Sequence, residues 1–107
     1  MSAERLEQLM AMLAEEPGDA FLRYAIALEH KRLGDFDTAI GALEALLTDD
    51  PAHVPSYYQL ALMLGELGRV PDAVRTCDAG ALQCLVTGDR KARMELLELR
   101  RTLLDEE

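Results

Sequence analysis

The feature that most constrains the fold of this chain is a sequence pattern that returns after 34 residues. Pro17 returns as Pro51, and Gly34 returns as Gly68. Further pairs at the same interval are Ala27 with Ala61, Ala39 with Ala73, and Leu43 with Cys77. A repeat of this length predicts an array of similar supersecondary units, because one such unit is too small to bury its own apolar face.

Each period divides into two amphipathic helices around its glycine. Leu22, Ile26 and Leu33 recur at helical spacing before Gly34, and a second apolar stripe follows that glycine. The spacing predicts a repeat over residues 20–53, and the same pattern predicts a second one over residues 54–87. The pattern is therefore typical of helix–turn–helix units.

The ends of the predicted helices carry the expected boundary residues. Asp19 and Asp89 are good N-caps, and Pro55 suits the first turn of a helix, where its missing N–H costs nothing. Gly34 suits the left-handed conformation that commonly follows a helix. Gly80, inside a helical pattern, indicates a close approach to a neighbouring helix.

Two further helices flank the repeats. The apolar pattern of residues 3–16 predicts a half repeat that lacks its first helix. The pattern of residues 89–105 predicts a C-terminal capping helix that covers Leu82 and Leu85. The total is about six helices. The short connections between them favour antiparallel neighbours. We therefore expect residues 1–107 to form a single all-α domain.

The landmarks of both periods resemble the tetratricopeptide repeat (TPR), and the chain is similar to small bacterial members with a capping helix. The matching structural positions are Ala27, Gly34, Ala39 and Pro51 in the first copy, and Ala61, Gly68 and Ala73 in the second. Arg23 and His30 depart from aromatic positions of the pattern. The resemblance implies an antiparallel helix–turn–helix array that forms a right-handed superhelix, an α-α solenoid.

The resemblance also implies where a partner binds. In TPR proteins the first helices of successive repeats line a concave groove that holds a peptide or a partner helix. The corresponding groove positions here are Phe21, Tyr24, Leu28, Lys31, Arg32, Pro55, Tyr58, Leu62 and Glu66. Tyr24 and Tyr58 lie one period apart, as do Leu28 and Leu62, so we expect an apolar-aromatic interaction surface on a scaffold or adaptor protein. Two alternatives stay open, in which a second copy or the C-terminal helix of the same chain occupies this groove.

One known use of such grooves does not suit this sequence. TPR domains that clamp the C-terminal carboxylate of chaperones use Lys, Arg and Asn side chains. Leu28 and Leu62 stand at the Asn positions, and the chain contains no Asn. The resemblance therefore implies no carboxylate clamp.

Composition narrows the partners further. The chain has 20 acidic and 11 basic residues, and its net charge of −9 disfavours nucleic-acid binding, which needs clustered Lys and Arg. No apolar run is long enough for a membrane span, and the start does not resemble a signal peptide. Cys77 and Cys84 are too far apart along one helix for a disulfide. These observations favour a cytoplasmic protein with reduced thiols.

The residues that carry chemistry in enzymes are sparse. His30 is interpreted as a core residue and His53 as a solvated loop residue, and neither accompanies a nucleophile motif. Asp49 and Asp50 suit a turn before Pro51. The histidines and cysteines lack zinc-ligand spacing. We therefore expect no catalytic residues, no metal, no cofactor and no enzymatic activity.

Overall fold

The computed structural model describes residues 2–105, and six α-helices account for most of them. The helices are α1 Ser2–Glu15, α2 Ala20–Arg32, α3 Phe36–Asp49, α4 Val54–Glu66, α5 Val70–Thr87 and α6 Arg90–Asp105. No strand occurs within this range. The predicted all-α helical repeat array of six helices is thus confirmed.

Capping residues explain where several helices begin. Asp19 accepts a hydrogen bond from the backbone N–H of Leu22 at 2.9 Å, and Asp89 accepts one from Ala92 at 3.0 Å. Both N-caps were predicted. Asp35 caps α3 in the same way, with a distance of 3.2 Å to the Thr38 nitrogen. Each carboxylate satisfies an N–H that lacks an intrahelical partner.

Glycines end the first helix of each repeat. Gly34 follows α2 with φ of 84°, and Gly68 follows α4 with φ of 78°. Residues with a Cβ rarely adopt this left-handed backbone, so glycine is required where the chain reverses direction. The prediction for Gly34 is confirmed.

The chain divides into two compact units, one up to Asp50 and one from Pro51 onward. In the first unit α2 packs against both α1 and α3. Leu9, Leu22 and Ile26 form the cluster that joins α1 to α2. The buried residues of α2 and α3 in this unit also include Ala27, Ala39, Ile40, Leu43 and Leu46.

In the second unit α5 packs against both α4 and α6, and α6 also touches α4. Its core contains Tyr57, Leu60, Ala61, Met63, Leu64, Ala73, Cys77, Cys84, Leu96 and Leu103. A Cβ placed on Gly80 would lie 2.6 Å from the Cβ of Tyr57 and 2.9 Å from a methyl carbon of Leu96. The predicted close approach at Gly80 is therefore confirmed, and it involves both α4 and α6.

The predicted cover over the end of α5 is wrong. Leu82 and Leu85 are 61% and 63% exposed, although α6 is in place. The reason is that α6 packs on the face of α5 that carries Gly80 and Cys84, which are buried, and leaves an open cleft beside Leu85. A helical stripe in a sequence identifies an apolar face but does not identify which neighbour covers it.

The two histidines also differ from their predicted settings. His53 is half-buried, and its Nδ1 lies 2.7 Å from the hydroxyl oxygen of the fully buried Ser56, so it is not a solvated loop residue. A buried hydroxyl needs a hydrogen-bond partner, and His53 supplies one at the start of α4. His30 is half-buried rather than in the core, with Nδ1 4.0 Å from an oxygen of Asp35.

Candidate protein-interaction surface

Four of the predicted groove residues share one face of α2, and we call them the α2 strip. They are Phe21, Tyr24, Leu28 and Lys31. Their spacing of three and four residues places them side by side on a helix. The adjacent face, with Leu22 and Ile26, is buried in the first unit. Phe21 is 72% exposed, and the other three side chains are half-buried. The α2 strip is therefore an accessible aromatic and aliphatic surface with one cation at its end.

Arg32, the remaining predicted residue on α2, has a structural partner. Its Nη2 lies 2.7 Å from a carboxylate oxygen of Glu29, and Nε of Arg5 on α1 lies 3.2 Å from the other oxygen. Glu29 is only 7% exposed. The hydrogen bond from Arg32 is the main cause that lowers the pKa of Glu29, and the charge of Arg5 adds to it against the opposing effect of burial. The pair with Arg32 lies within α2, whereas the pair with Arg5 links α1 to α2.

The second unit carries the corresponding positions on α4, which we call the α4 strip. It consists of Pro55, Tyr58, Leu62 and Glu66. Tyr58 and Leu62 are half-buried, and Pro55 and Glu66 are exposed. The contact between α4 and α6 at Gly65, where Leu103 approaches, leaves these side chains accessible.

Adjacent tyrosines on α4 have opposite environments. Tyr57 is 7% exposed, and its hydroxyl donates a hydrogen bond to the carbonyl oxygen of Pro51 at 2.6 Å. Tyr58 lies on a different face of the helix and stays half-buried. Successive helical residues differ by about 100° around the axis, which separates the core tyrosine from the surface one.

The two strips therefore repeat one arrangement. Tyr24 and Tyr58 are both half-buried, and so are Leu28 and Leu62. In each unit a tyrosine and a leucine one turn apart remain accessible, while the neighbouring small residues Ala27 and Ala61 are fully buried. The 34-residue period is thus preserved in side-chain exposure as well as in sequence.

Reactive chemistry is scarce in the part of the chain that the structure describes. No cluster of three or more His, Cys, Asp or Glu side chains that could hold a metal ion occurs within residues 2–105. Cys77 and Cys84 are free and buried. Burial raises the pKa of the Cys77 thiol to about 11, and it also raises the pKa of Cys84. Both thiols are therefore poor nucleophiles near neutral pH.

Among the helices between residues 2 and 105, none combines the length and the apolar character that crossing a membrane requires.

The helix pairs, left-handed glycines and buried alanines define the class of helical repeat proteins, and comparison with solved structures identifies the family. A tetratricopeptide repeat domain protein from Salinibacter ruber is 32% identical, with a TM-score of 0.82 over 85% of this chain and 92% of that chain. A protein from Bordetella parapertussis is 28% identical, with a TM-score of 0.82 over 94% of this chain and 88% of that chain. The chain belongs to the tetratricopeptide repeat family.

A more distant structure has the same fold. The TPR2B domain of yeast Sti1, solved in a complex with pHsp70, superposes with a TM-score of 0.87 at 20% identity, over 95% of this chain and 82% of that chain. No protein-family model matches the sequence, and no curated protein matches it.

Proposed function

We propose that this protein is an interaction module that binds a helix or an extended segment of a partner protein through the α2 strip and the α4 strip. The observation that carries the proposal is the repeated pair of accessible side chains, Tyr24 with Leu28 and Tyr58 with Leu62. Aromatic side chains provide much of the binding energy in protein interfaces, and apolar anchors at helical spacing are typical of grooves that hold peptides. TPR membership and the pHsp70 complex of the Sti1 domain support this class of partner.

The partner is recognised mainly by apolar contacts. The predominant side chains of the two strips are aromatic and aliphatic, while Arg32 is engaged by Glu29. Lys31 on one strip and Glu66 on the other contribute charges of opposite sign, which give orientation rather than net attraction. A partner segment with two apolar anchors matches this composition.

The decisive experiment compares the double variant Tyr24→Ala/Tyr58→Ala with the unmodified protein as bait in native cell extract, with captured proteins quantified by mass spectrometry. The matched control is Met10→Ala/Met12→Ala, which truncates two exposed apolar residues on α1 that are 52% and 54% exposed. We expect specific partners to fall at least tenfold with the tyrosine variant and to persist with the control. Circular dichroism establishes that both variants are folded. Undiminished capture by the tyrosine variant contradicts the assignment of the strips.

The two strips do not act as a carboxylate clamp. Leu28 and Leu62 offer only hydrocarbon where a clamp needs amide donors, so they cannot replace the hydrogen bonds that a C-terminal carboxylate loses with its hydration. Titration with a peptide that ends in an acidic chaperone-type tail should show no binding below about 1 mM. Micromolar affinity contradicts this part of the proposal.

A second copy of the chain is the alternative occupant, and the 72% exposure of Phe21 favours it, because an aromatic side chain gains from burial. Light scattering coupled to size exclusion distinguishes the two cases. A dimer of 11.9 kDa chains that dissociates on Phe21→Ser substitution supports self-association, and a monomer at every concentration contradicts it.

A further inference from the structure

A cleft in the second unit, between the end of α5 and the start of α6, shares no residue with either strip. Its volume is about 550 Å³, and its walls are Cys84, Leu85, Gly88, Arg90, Arg93 and Met94. Ligand pockets in proteins commonly have volumes of several hundred Å³. The cleft is therefore large enough for two side chains of a bound peptide.

Part of the lining of the cleft is apolar, and the end of α5 that contributes to it has no counterpart in α3. α3 ends at Asp49, which corresponds to Gln83 one period later, but α5 continues to Thr87. The extended end carries Leu85 and Val86, which are 63% and 75% exposed, and Met94 on α6 is 70% exposed beside them. Leu82, Leu85 and Val86 lie within about one turn of α5, and Leu85 and Met94 line the cleft together; exposed apolar side chains of this kind commonly mark interaction sites.

The cleft is also lined by two arginines whose charges are uncompensated. Arg90 and Arg93 form no ion pair within residues 2–105, and Nε of Arg93 is buried with no hydrogen-bond partner. Every other arginine of the chain lies within 4 Å of a carboxylate; these are Arg5, Arg23, Arg32, Arg69, Arg75, Arg100 and Arg101. The nearby Asp89 caps α6 instead. The chain has a net charge of −9, so two arginines without ion-pair partners at one cleft form a local region of positive charge on an acidic protein.

The cationic and the apolar side chains of the cleft together specify the occupant. A guanidinium group presents parallel N–H donors that match the two oxygens of a carboxylate. Leu85 and Met94 add little to the binding of a bare phosphate, but they favour a ligand that has a hydrocarbon side chain next to its anionic group. A peptide with an acidic residue beside an apolar one matches both the arginines and the apolar side chains of the cleft.

We propose that this cleft is a second docking site, which binds a partner segment that carries an Asp or Glu carboxylate next to an aliphatic or aromatic side chain. The carboxylate pairs with Arg90 and Arg93, and the apolar side chain packs on Leu85 and Met94. This site does not depend on the α2 and α4 strips, so either proposal stands if the other fails.

A random peptide library displayed on phage tests the site. Peptides are selected on the full chain and counter-selected on Arg90→Gln/Arg93→Gln. The matched control is Arg100→Gln/Arg101→Gln, which removes the same charge from the same helix at residues that already pair with carboxylates. We expect surviving peptides to share an acidic residue beside an apolar one. Their affinity should fall at least tenfold on Arg90→Gln/Arg93→Gln and less than twofold on the control, with melting curves showing that both variants fold.

Replacement of the acidic residue of a selected peptide by its amide should also lower affinity at least tenfold. The proposal is overturned if no peptide survives counter-selection or if the amide peptide binds as tightly. It is also overturned if inorganic phosphate displaces the peptide at equal concentration, which would indicate a phosphate site. Loss of a dimer on Arg90→Gln/Arg93→Gln, measured by light scattering, would overturn it in favour of a second copy as occupant.

Discussion

Gly80 on α5 lies so close to Tyr57 on α4 that a Cβ on the glycine would be 2.6 Å from the Cβ of the tyrosine. The tyrosine cannot swing aside, because its Cβ is fixed to the backbone and its hydroxyl is bonded to Pro51. The absence of a side chain at Gly80 therefore sets the distance between the two helices of the second repeat.

The variant Gly80→Ala should lower the free energy of unfolding by about 2 kcal/mol. Overpacking a filled core costs about 1–3 kcal/mol or more, which exceeds the helix propensity that alanine gains over glycine. Chemical denaturation followed by circular dichroism measures the change.

Two other helical glycines serve as controls for this prediction. The only close contact of a Cβ on Gly65 would be with a terminal methyl carbon of Leu103, at 2.6 Å, which can rotate, and a Cβ on Gly41 would meet nothing within 4 Å. Gly65→Ala should therefore change stability by less than about 1 kcal/mol, and Gly41→Ala should stabilise α3 by up to about 1 kcal/mol. Equal effects at all three positions would contradict the packing argument.

Leu96 and Leu97 test the capping role of α6. Leu96 is 1% exposed against α5, whereas Leu97 is 37% exposed. Leu96→Ala should lower the free energy of unfolding by about 3 kcal/mol, and Leu97→Ala by less than about 1 kcal/mol, because only the first leaves a cavity. Thermal melting of both variants is the measurement, and similar melting temperatures would refute the role of this face of α6.

The ion pairs of Glu29 should make the first unit sensitive to acid. The pKa of Glu29 is lowered in the folded protein from its ordinary value of 4.5, so its pairing stabilises the fold above pH 4.5. That contribution is lost as the pH falls through the lowered pKa. Glu29→Gln should therefore reduce the melting temperature at pH 7, and the difference from the unmodified protein should shrink below pH 4.5.

The control for acid sensitivity is Glu44→Gln, which neutralises an exposed carboxylate on α3. Its melting temperature should follow that of the unmodified protein at every pH. A deficit of Glu29→Gln that stays constant from pH 7 to about pH 3 would show that lost packing, rather than lost charge, destabilises it.

The two thiols should resist alkylation in the folded protein. With a pKa of about 11 for Cys77, roughly one molecule in a thousand carries the thiolate at pH 8, and the sulfur is buried as well. Iodoacetamide labelling followed by mass spectrometry should be at least about 100-fold slower in buffer than in denaturant. The variant Cys84→Ser isolates the signal of Cys77, and equal rates in both solvents would contradict the burial of this face of α5.

Most of the fold was predictable because the 34-residue period fixes which residues are equivalent. Gly34, Asp19 and Asp89 act locally, through backbone conformation and capping, so a sequence reveals them directly. Contacts between distant segments are different. The pairing of Arg5 with Glu29 joins two helices across 24 positions, and no periodicity marks it.

The candidate sites show the same difference between features that a sequence reveals and features that depend on packing between segments. Tyr24 and Tyr58 were predicted from the family resemblance, and their role as a groove stays a prediction. The cleft beside Arg93 was not predicted, because it arises from the packing direction of α6 and from the extra turn of α5. The exposure of Leu85 shows that α6 does not cover the end of α5 as the sequence predicted.

The unequal settings of the tyrosines have a practical consequence for spectroscopy. The chain has three tyrosines and no tryptophan, so tyrosine dominates its near-ultraviolet absorption and its emission. Tyr57 is immobilised in the core and reports folding through near-ultraviolet circular dichroism. Tyr24 and Tyr58 are partly accessible to water, and their fluorescence responds when a bound molecule excludes solvent or quenchers. The protein thus carries its own optical probes for two separate events, and neither needs an attached dye.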